Sequence, residues 1–297
     1  MRNIFKLFVL ILNHYIGRDM ILSVIGFVNK RFNFIHSVFV CYPASKEYTL
    51  AYAFESKLHH QSWTPWLIGI YKQDGKWGLM FTISSLEEDF IKPENIGNIK
   101  NLVKNTDAIK DLVYASQKSF AGILPGVMYA KRIIRDTIEV DVTIQAVKQA
   151  ISSVLSLNSY ASNTPIIVLG GHGFVGRRLL KQLSCNEFYS VDIQTNKEFP
   201  EHLIGKEAVL INISRKSAIK DYVGKFWKDL IVMNEVYPEP SQEEVNLIKQ
   251  RGSSLYHIVG VRAASYPSFP HAYKGGIPCC AAWNSGDDME VLIKEMN

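Results

Sequence analysis

Two periodicities of apolar residues run through this chain, one near four and one near two, and the stretches where each holds predict its elements. Helical spacing holds at Ile99, Leu102 and Val103, then at Ile109, Leu112 and Val113. It returns over Thr143 to Leu155, where Ile144, Val147, Ile151, Val154 and Leu155 fall on one face. Strand character appears in Ser37 to Tyr42, closed by Pro43. Leu67 to Tyr71 and Trp77 to Ile83 form the arms of a hairpin around Asp74-Gly75, a pair suited to a positive-φ turn. Short buried runs follow at Ile166–Leu169, Phe188–Ile193, Ala208–Ile213, Leu230–Val236 and Leu255–Val261, separated by helical segments. Strands alternating with helices imply a parallel sheet with right-handed crossovers. The spacing therefore predicts an α/β protein. A mixed α/β domain spans residues 1–160, and a doubly wound parallel-sheet domain spans 161–297. The polar segment SLNSYASNTP joins them as a hinge, and Pro93 to Asn98 reads as a loop.

Composition narrows the class. At 297 residues with 47% hydrophobic and 21% charged positions, the chain can build two ordinary cores. Its net charge of +5 is spread among acids along the chain, so no nucleic-acid footprint results. Cys41, Cys185, Cys279 and Cys280 match neither a zinc motif nor a disulfide framework, which fits a reducing cytoplasm. The apolar N-terminus is interrupted by Lys6, Asn13, His14, Arg18 and Asp19, well short of the ~18 apolar residues a membrane span needs. One or two helices are expected there, either buried or lying on a membrane or an acyl chain. A homodimer is among the assemblies the sequence allows.

The most informative stretch is Pro165 to Asp192. Gly171, Gly173 and Gly176 satisfy G-x-G-x-x-G directly after a strand. Val175, Leu179, Leu180 and Leu183 then continue as a helix starting near Phe174. This marks 161–297 as a Rossmann-type domain, in which the first glycine allows the tight turn, the second allows a pyrophosphate to approach, and the third allows helix and strand to pack. His172, Phe174 and Val175 fill the turn. Asp192, 16 residues after the last glycine, closes the next strand beside Ile193. A carboxylate there accepts both ribose hydroxyls and repels a 2′-phosphate, favouring NAD over NADP.

Later strands end in polar residues. Asn212, Ser214, Arg215 and Lys216 follow one, and Glu235 and Tyr237 follow the next, where such sheets bind ligands. With Ile211-Asn212-Ile213-Ser214 and Asn234-Glu235-Val236-Tyr237-Pro238, the chain resembles the shikimate dehydrogenase-like, amino-acid-dehydrogenase-type group. That group carries Asn-x-Thr/Ser and Asp-x-x-Tyr-x-Pro turns at these places, and Asn234 stands where it commonly has an acid. The domain order is also similar to that of methylenetetrahydrofolate dehydrogenases and long-chain acyl-carrier-protein reductases. The resemblance implies a catalytic domain followed by a cofactor domain, and hydride transfer with a nicotinamide cofactor.

Candidate chemistry in the first domain lies in YASQKSFAGILPGVMYAKR, read as a glycine- and proline-broken loop between helices. Tyr114 and Lys118, four apart, would form an acid/base pair one helical turn apart. Ser119 and Gly122 would contact substrate, as would Arg215 in the second domain. The leading expectation is an NAD-dependent oxidoreductase acting on a small carbonyl, hydroxy or imine compound between the domains. One alternative is an acyl-thioester reductase using Cys279 or Cys280 after Pro278. Another is a non-catalytic NAD-responsive binding protein. His257 and His271 are further proton-carrier candidates. No metal site is expected.

Overall fold

The computed structural model describes residues 2–15, 17–135, 138–183, 187–192, 198–215, 218–270, 273–284, 286 and 288–297. Ile193, Lys216, Cys185 and His271 lie outside them. The chain divides into two compact units. One is Met1–Glu139 with Ala263–Phe269 and Cys280–Trp283, and the other is Val140–Arg262 with Pro270–Cys279 and Asn284–Asn297. The division therefore falls some twenty residues before the expected hinge, and two C-terminal segments belong to the first unit.

The first unit opens with α1 (Arg2–Leu10), a wider turn over Ile11–Tyr15, and α2 (Arg18–Phe32). There follow β1 (Ile35–Cys41), α3 (Lys46–Tyr52), β2 (Trp66–Gln73), β3 (Lys76–Thr82), α4 (Glu87–Phe90), α5 (Ile96–Leu112), β4 (Gln117–Phe120) and α6 (Leu124–Ala130). The hairpin turns as expected, with Asp74 at φ 48° and Gly75 at φ 78°. Pro93–Asn95 is a short helical turn leading into α5, where a loop was expected. The broken-loop expectation for YASQKSFAGILPGVMYAKR is also corrected, since the segment contains β4 and α6. Pro125 sits in the first turn of α6, where a missing N–H costs nothing.

β1 pairs in parallel with β3 and β4, and β2 runs antiparallel to β3. A later strand, β10 (Ala264–Tyr266), adds antiparallel to β2, giving the order β10-β2-β3-β1-β4. One face packs Val38, Val40, Phe81 and Phe120 against Leu22 of α2 and Ile99, Leu102 and Ile109 of α5. On the other side the returning segments cover Phe39 and Tyr71, with Phe269 6.2 Å from the Phe39 ring and Trp283 5.4 Å from Tyr71.

The second unit begins with α7 (Ile138–Leu157), longer than the expected helix, with the expected face of Ile144, Val147, Ile151, Val154 and Leu155 buried. It continues through β5 (Ile166–Leu169), α8 (Gly176–Gln182), β6 (Phe188–Val191), β7 (Ala208–Asn212), β8 (Leu230–Asn234), α9 (Gln242–Gln250) and β9 (Ser254–Arg262). Ser241 and Glu244 cap α9 reciprocally, and Gly252 at φ 79° stops it. The five strands are parallel in the order β6-β5-β7-β8-β9. Two antiparallel strands not expected from the sequence, β11 (Gly276–Ile277) and β12 (Val291–Glu295), complete the far side against β9. The chain runs from β5 outward to β6, then returns to lay β7 on the other side of β5. The switch in direction lies between β5 and β7.

Candidate functional site

The glycines after β5 divide the work differently from the motif. Gly170, one residue ahead of it, makes the turn at φ +88°, a conformation that side chains disfavour. A Cβ there would also lie 2.7 Å from Ser214 Cβ. Gly171, expected to make the turn, instead lets β6 come close, since a Cβ would stand 2.4 Å from Ser190 Oγ. Gly176 packs helix on strand as expected, with a Cβ position 2.2 Å from the Gly170 carbonyl oxygen. Gly173 is open apart from that same oxygen at 3.1 Å. Its amide donates to Gly170 O at 2.9 Å and closes the turn.

α8 starts two residues later than expected, because Phe174 and Val175 belong to the turn. Arg178, passed over in the sequence, lays its guanidinium 4.1 Å from the Phe174 ring centre. Its Nη1 donates to Phe174 O at 3.2 Å, which brings a cation to the turn. His172 is exposed, and its Nδ1 lies 2.8 Å from Ser190 Oγ, tying the turn to β6. Asp192 directly follows β6 and is half-buried. It lies within electrostatic reach of Tyr222, whose phenol is raised by burial first and then by Asp221 and Asp192.

Across the switch point, Ser214 backs onto Gly170, and its amide donates to Asn212 Oδ1 at 3.1 Å. Asn212 Nδ2 donates to Asn234 Oδ1 at 2.9 Å, and Asn234 Nδ2 donates to Val236 O at 2.6 Å. His257 Nδ1 lies 3.0 Å from Asn234 O. These amides hold the ends of β7, β8 and β9 together. Beside them is a cleft of about 210 Å³ whose lining includes Asn212, Ile219, Asn234, Pro238, Glu239 and Ser241. Burial lowers the His257 imidazole to about 4, so it is a neutral core histidine near pH 7 and not a proton carrier. Burial raises the neighbouring Glu235 carboxyl to about 7. Tyr237 joins Pro238 by a cis peptide and stacks on Tyr273 with ring centres 5.1 Å apart. Arg215, expected to hold substrate, is exposed and pairs with Asp221 at 2.8 Å.

In the first unit the Tyr114–Lys118 pairing fails. α5 ends at Leu112, Tyr114 turns the chain at φ 52°, and Lys118 lies on strand β4. Lys118 is paired instead with Asp107 of α5. Tyr114 is half-exposed with Lys30 Nζ 5.3 Å from its ring centre. Successive side chains on a strand point to opposite faces, so Lys118 and Ser119 cannot line one pocket. The Ser119 hydroxyl is buried and has no hydrogen-bond partner among the described residues. Gly122, at φ +54°, admits Tyr42, whose hydroxyl would be 2.1 Å from a Cβ. That hydroxyl donates to Glu87 Oε1 at 2.7 Å and accepts from Ile123 N at 3.0 Å. Burial first, and Glu87 second, raise its pKa. Tyr42 was not singled out in the sequence, where Pro43 was the only sign of a strand end. Cys279 and Cys280 lie on one short helical turn, Cys280 within electrostatic reach of the Tyr42 and Tyr71 phenols.

No protein-family model and no curated protein matches the sequence. Among solved structures the chain is similar to a shikimate dehydrogenase in complex with NADP+, at 12% identity and a TM-score of 0.41 over 75% of this chain and 84% of that one. It is also similar to shikimate 5-dehydrogenase from Listeria monocytogenes in complex with shikimate and NAD, at 8% identity and a TM-score of 0.38 over 75% and 86%. A third is quinate dehydrogenase from Corynebacterium glutamicum in complex with NAD, at 10% identity and a TM-score of 0.37 over 74% and 86%.

Proposed function

We propose that this protein is an NAD-dependent oxidoreductase acting on a small carbonyl, hydroxy or imine compound. The observation that carries the reading is a glycine turn at the switch point of a parallel sheet, with an acid closing the neighbouring strand. The residues fit a dinucleotide. Gly173 leaves the turn open for a pyrophosphate, Arg178 adds a cation beside it, and Asp192 accepts the ribose hydroxyls. The bound nicotinamide supplies or receives the hydride. Asn212, Ser214 and Tyr237 form the nicotinamide side, held in place by the amide chain through Asn234.

A proton must move with the hydride. Glu235 is assigned that task, because its amide donates to Asn212 O at 3.0 Å beside the nicotinamide-side residues and burial raises its carboxyl to about 7, where it can both donate and accept a proton. Lys118 is left out because Asp107 holds it. Ser119 and Gly122 are left out as well, because the Ser119 hydroxyl is buried and Tyr42 fills the space beside Gly122.

Fluorescence titration with NADH and NADPH tests the cofactor half. The wild type is expected to bind NADH the more tightly. Asp192→Ala should lose about tenfold in NADH affinity, the worth of charge-assisted hydrogen bonds. Absence of NADH binding by the wild type would remove the reading.

A further inference from the structure

The first thirty-two residues carry an apolar surface that the cofactor reading does not use. On α2, Met20, Val24, Phe27, Val28 and Phe32 recur at i, i+4, i+7, i+8 and i+12, all exposed, with Phe27 at 81%. On α1 and the first residue of the turn after it, Ile4, Leu7, Phe8 and Ile11 recur at i, i+3, i+4 and i+7 and are exposed as well. The opposite sides of these helices are fastened down. Leu22, Gly26 and Asn29 are the buried residues of α2, and a Cβ on Gly26 would stand 2.0 Å from Leu112 O. Asn29 Nδ2 donates to Val113 O at 2.8 Å while its Oδ1 accepts from Ile35 N at 2.6 Å. Asn13 makes the same two-way bond with the Leu67 backbone, at 2.9 and 2.8 Å. The outward stripes are therefore held in a set orientation.

Charge decides between the candidates for this surface. Arg2, Lys6, Arg18, Lys30 and Arg31 stand against Asp19 alone, so this segment carries a net +4 of the chain's +5. Two copies meeting through it would bring like charges together. An anionic lipid surface would match both the apolar stripe and the exposed Lys30 and Arg31 at the end of α2. No single helix among the described residues is long and apolar enough to cross a membrane; the pair Ile4–Tyr15 and Arg18–Phe32 is bent by 86° and α2 is held against Leu112 at Gly26, a geometry that fits lying in the interface better than crossing it. We infer that α1 and α2 dock this protein peripherally on an anionic bilayer, with Phe8, Val24 and Phe27 entering the headgroup boundary. This inference is independent of the cofactor reading.

Vesicle flotation tests it, comparing pure phosphatidylcholine with an equal mixture of phosphatidylcholine and phosphatidylserine. The wild type is expected to float with the mixed vesicles, and less at high salt. Phe27→Glu should lower partitioning about tenfold through lost apolar insertion. Arg31→Gln should lower it about fivefold, the worth of one cation near such a surface. Val24→Gln serves as a second exposed substitution if Phe27→Glu melts differently from the wild type. Failure of the wild type to float, or flotation by the Phe27 and Val24 variants equal to that of the wild type, would overturn docking. So would light scattering that shows a wild-type dimer dissociated by Phe27→Glu, since the surface would then belong to a second copy.

Discussion

Gly176→Ala is expected to destabilise the second unit by about 3 kcal/mol and to abolish measurable NADH binding. An alanine Cβ would stand 2.2 Å from the Gly170 carbonyl oxygen and 2.7 Å from Gly171 Cα. Both are backbone atoms, so no side-chain rotation relieves the overlap. Alanine gains up to ~1 kcal/mol over glycine in a helix, whereas overpacking costs about 1–3 kcal/mol or more. The overlap wins here because α8 would have to move off β5. Gly97→Ala in α5 is the control, since nothing lies within 4 Å of its Cβ position. That variant is expected to be neutral or stabilising. Thermal denaturation of both, with NADH titration of the first, checks the argument, and equal behaviour of the two would defeat it.

Glu235→Gln is expected to stabilise the protein by about 2–3 kcal/mol near pH 8 and to leave stability unchanged near pH 4, while removing most turnover. The sign follows from the direction of the shift. Burial raises the folded-state carboxyl from 4.5 to about 7, so the native state binds the proton more tightly than the unfolded chain. Below the unfolded value both states are protonated and the residue is neutral to stability. As pH rises through about 7 the native state must hold a desolvated carboxylate, and stability falls. Glutamine removes that cost and also removes the proton carrier, a trade of activity for stability. Urea denaturation across this pH range checks the first half. His257 acts in the opposite window, destabilising the fold as pH drops from 6.5 through about 4, so the two residues are separable by pH. A Glu235→Gln variant with wild-type turnover would assign the proton to another group.

Several site elements were legible because they depend on neighbours in sequence. The β5–glycine–α8–β6 order, the Asp74-Gly75 hairpin and the buried face of α7 each follow from local spacing and turn chemistry. Lys118 shows where spacing misleads. A separation of four fits one helical turn, yet Gln117-Lys118-Ser119-Phe120 pairs with Ser37 to Val40 and becomes a strand. With one apolar residue in four, nothing local announces β4; pairing with β1 decides it. The same holds for β10, β11 and β12, short strands that form only because β2 and β9 offer edges.

An α/β chain whose second half carries a glycine turn and a strand-closing acid follows from consecutive residues alone, because strand, turn and helix periods are local properties. Which glycine makes the turn was settled by packing, since it depends on how closely Ser214 after β7 and Ser190 on β6 approach. Packing also decided that Lys118 belongs to Asp107, that Asn234 links Asn212 to His257, and that α1 and α2 keep an apolar side facing out. Contacts between distant segments and the desolvation they impose set these features, and a linear pattern carries neither.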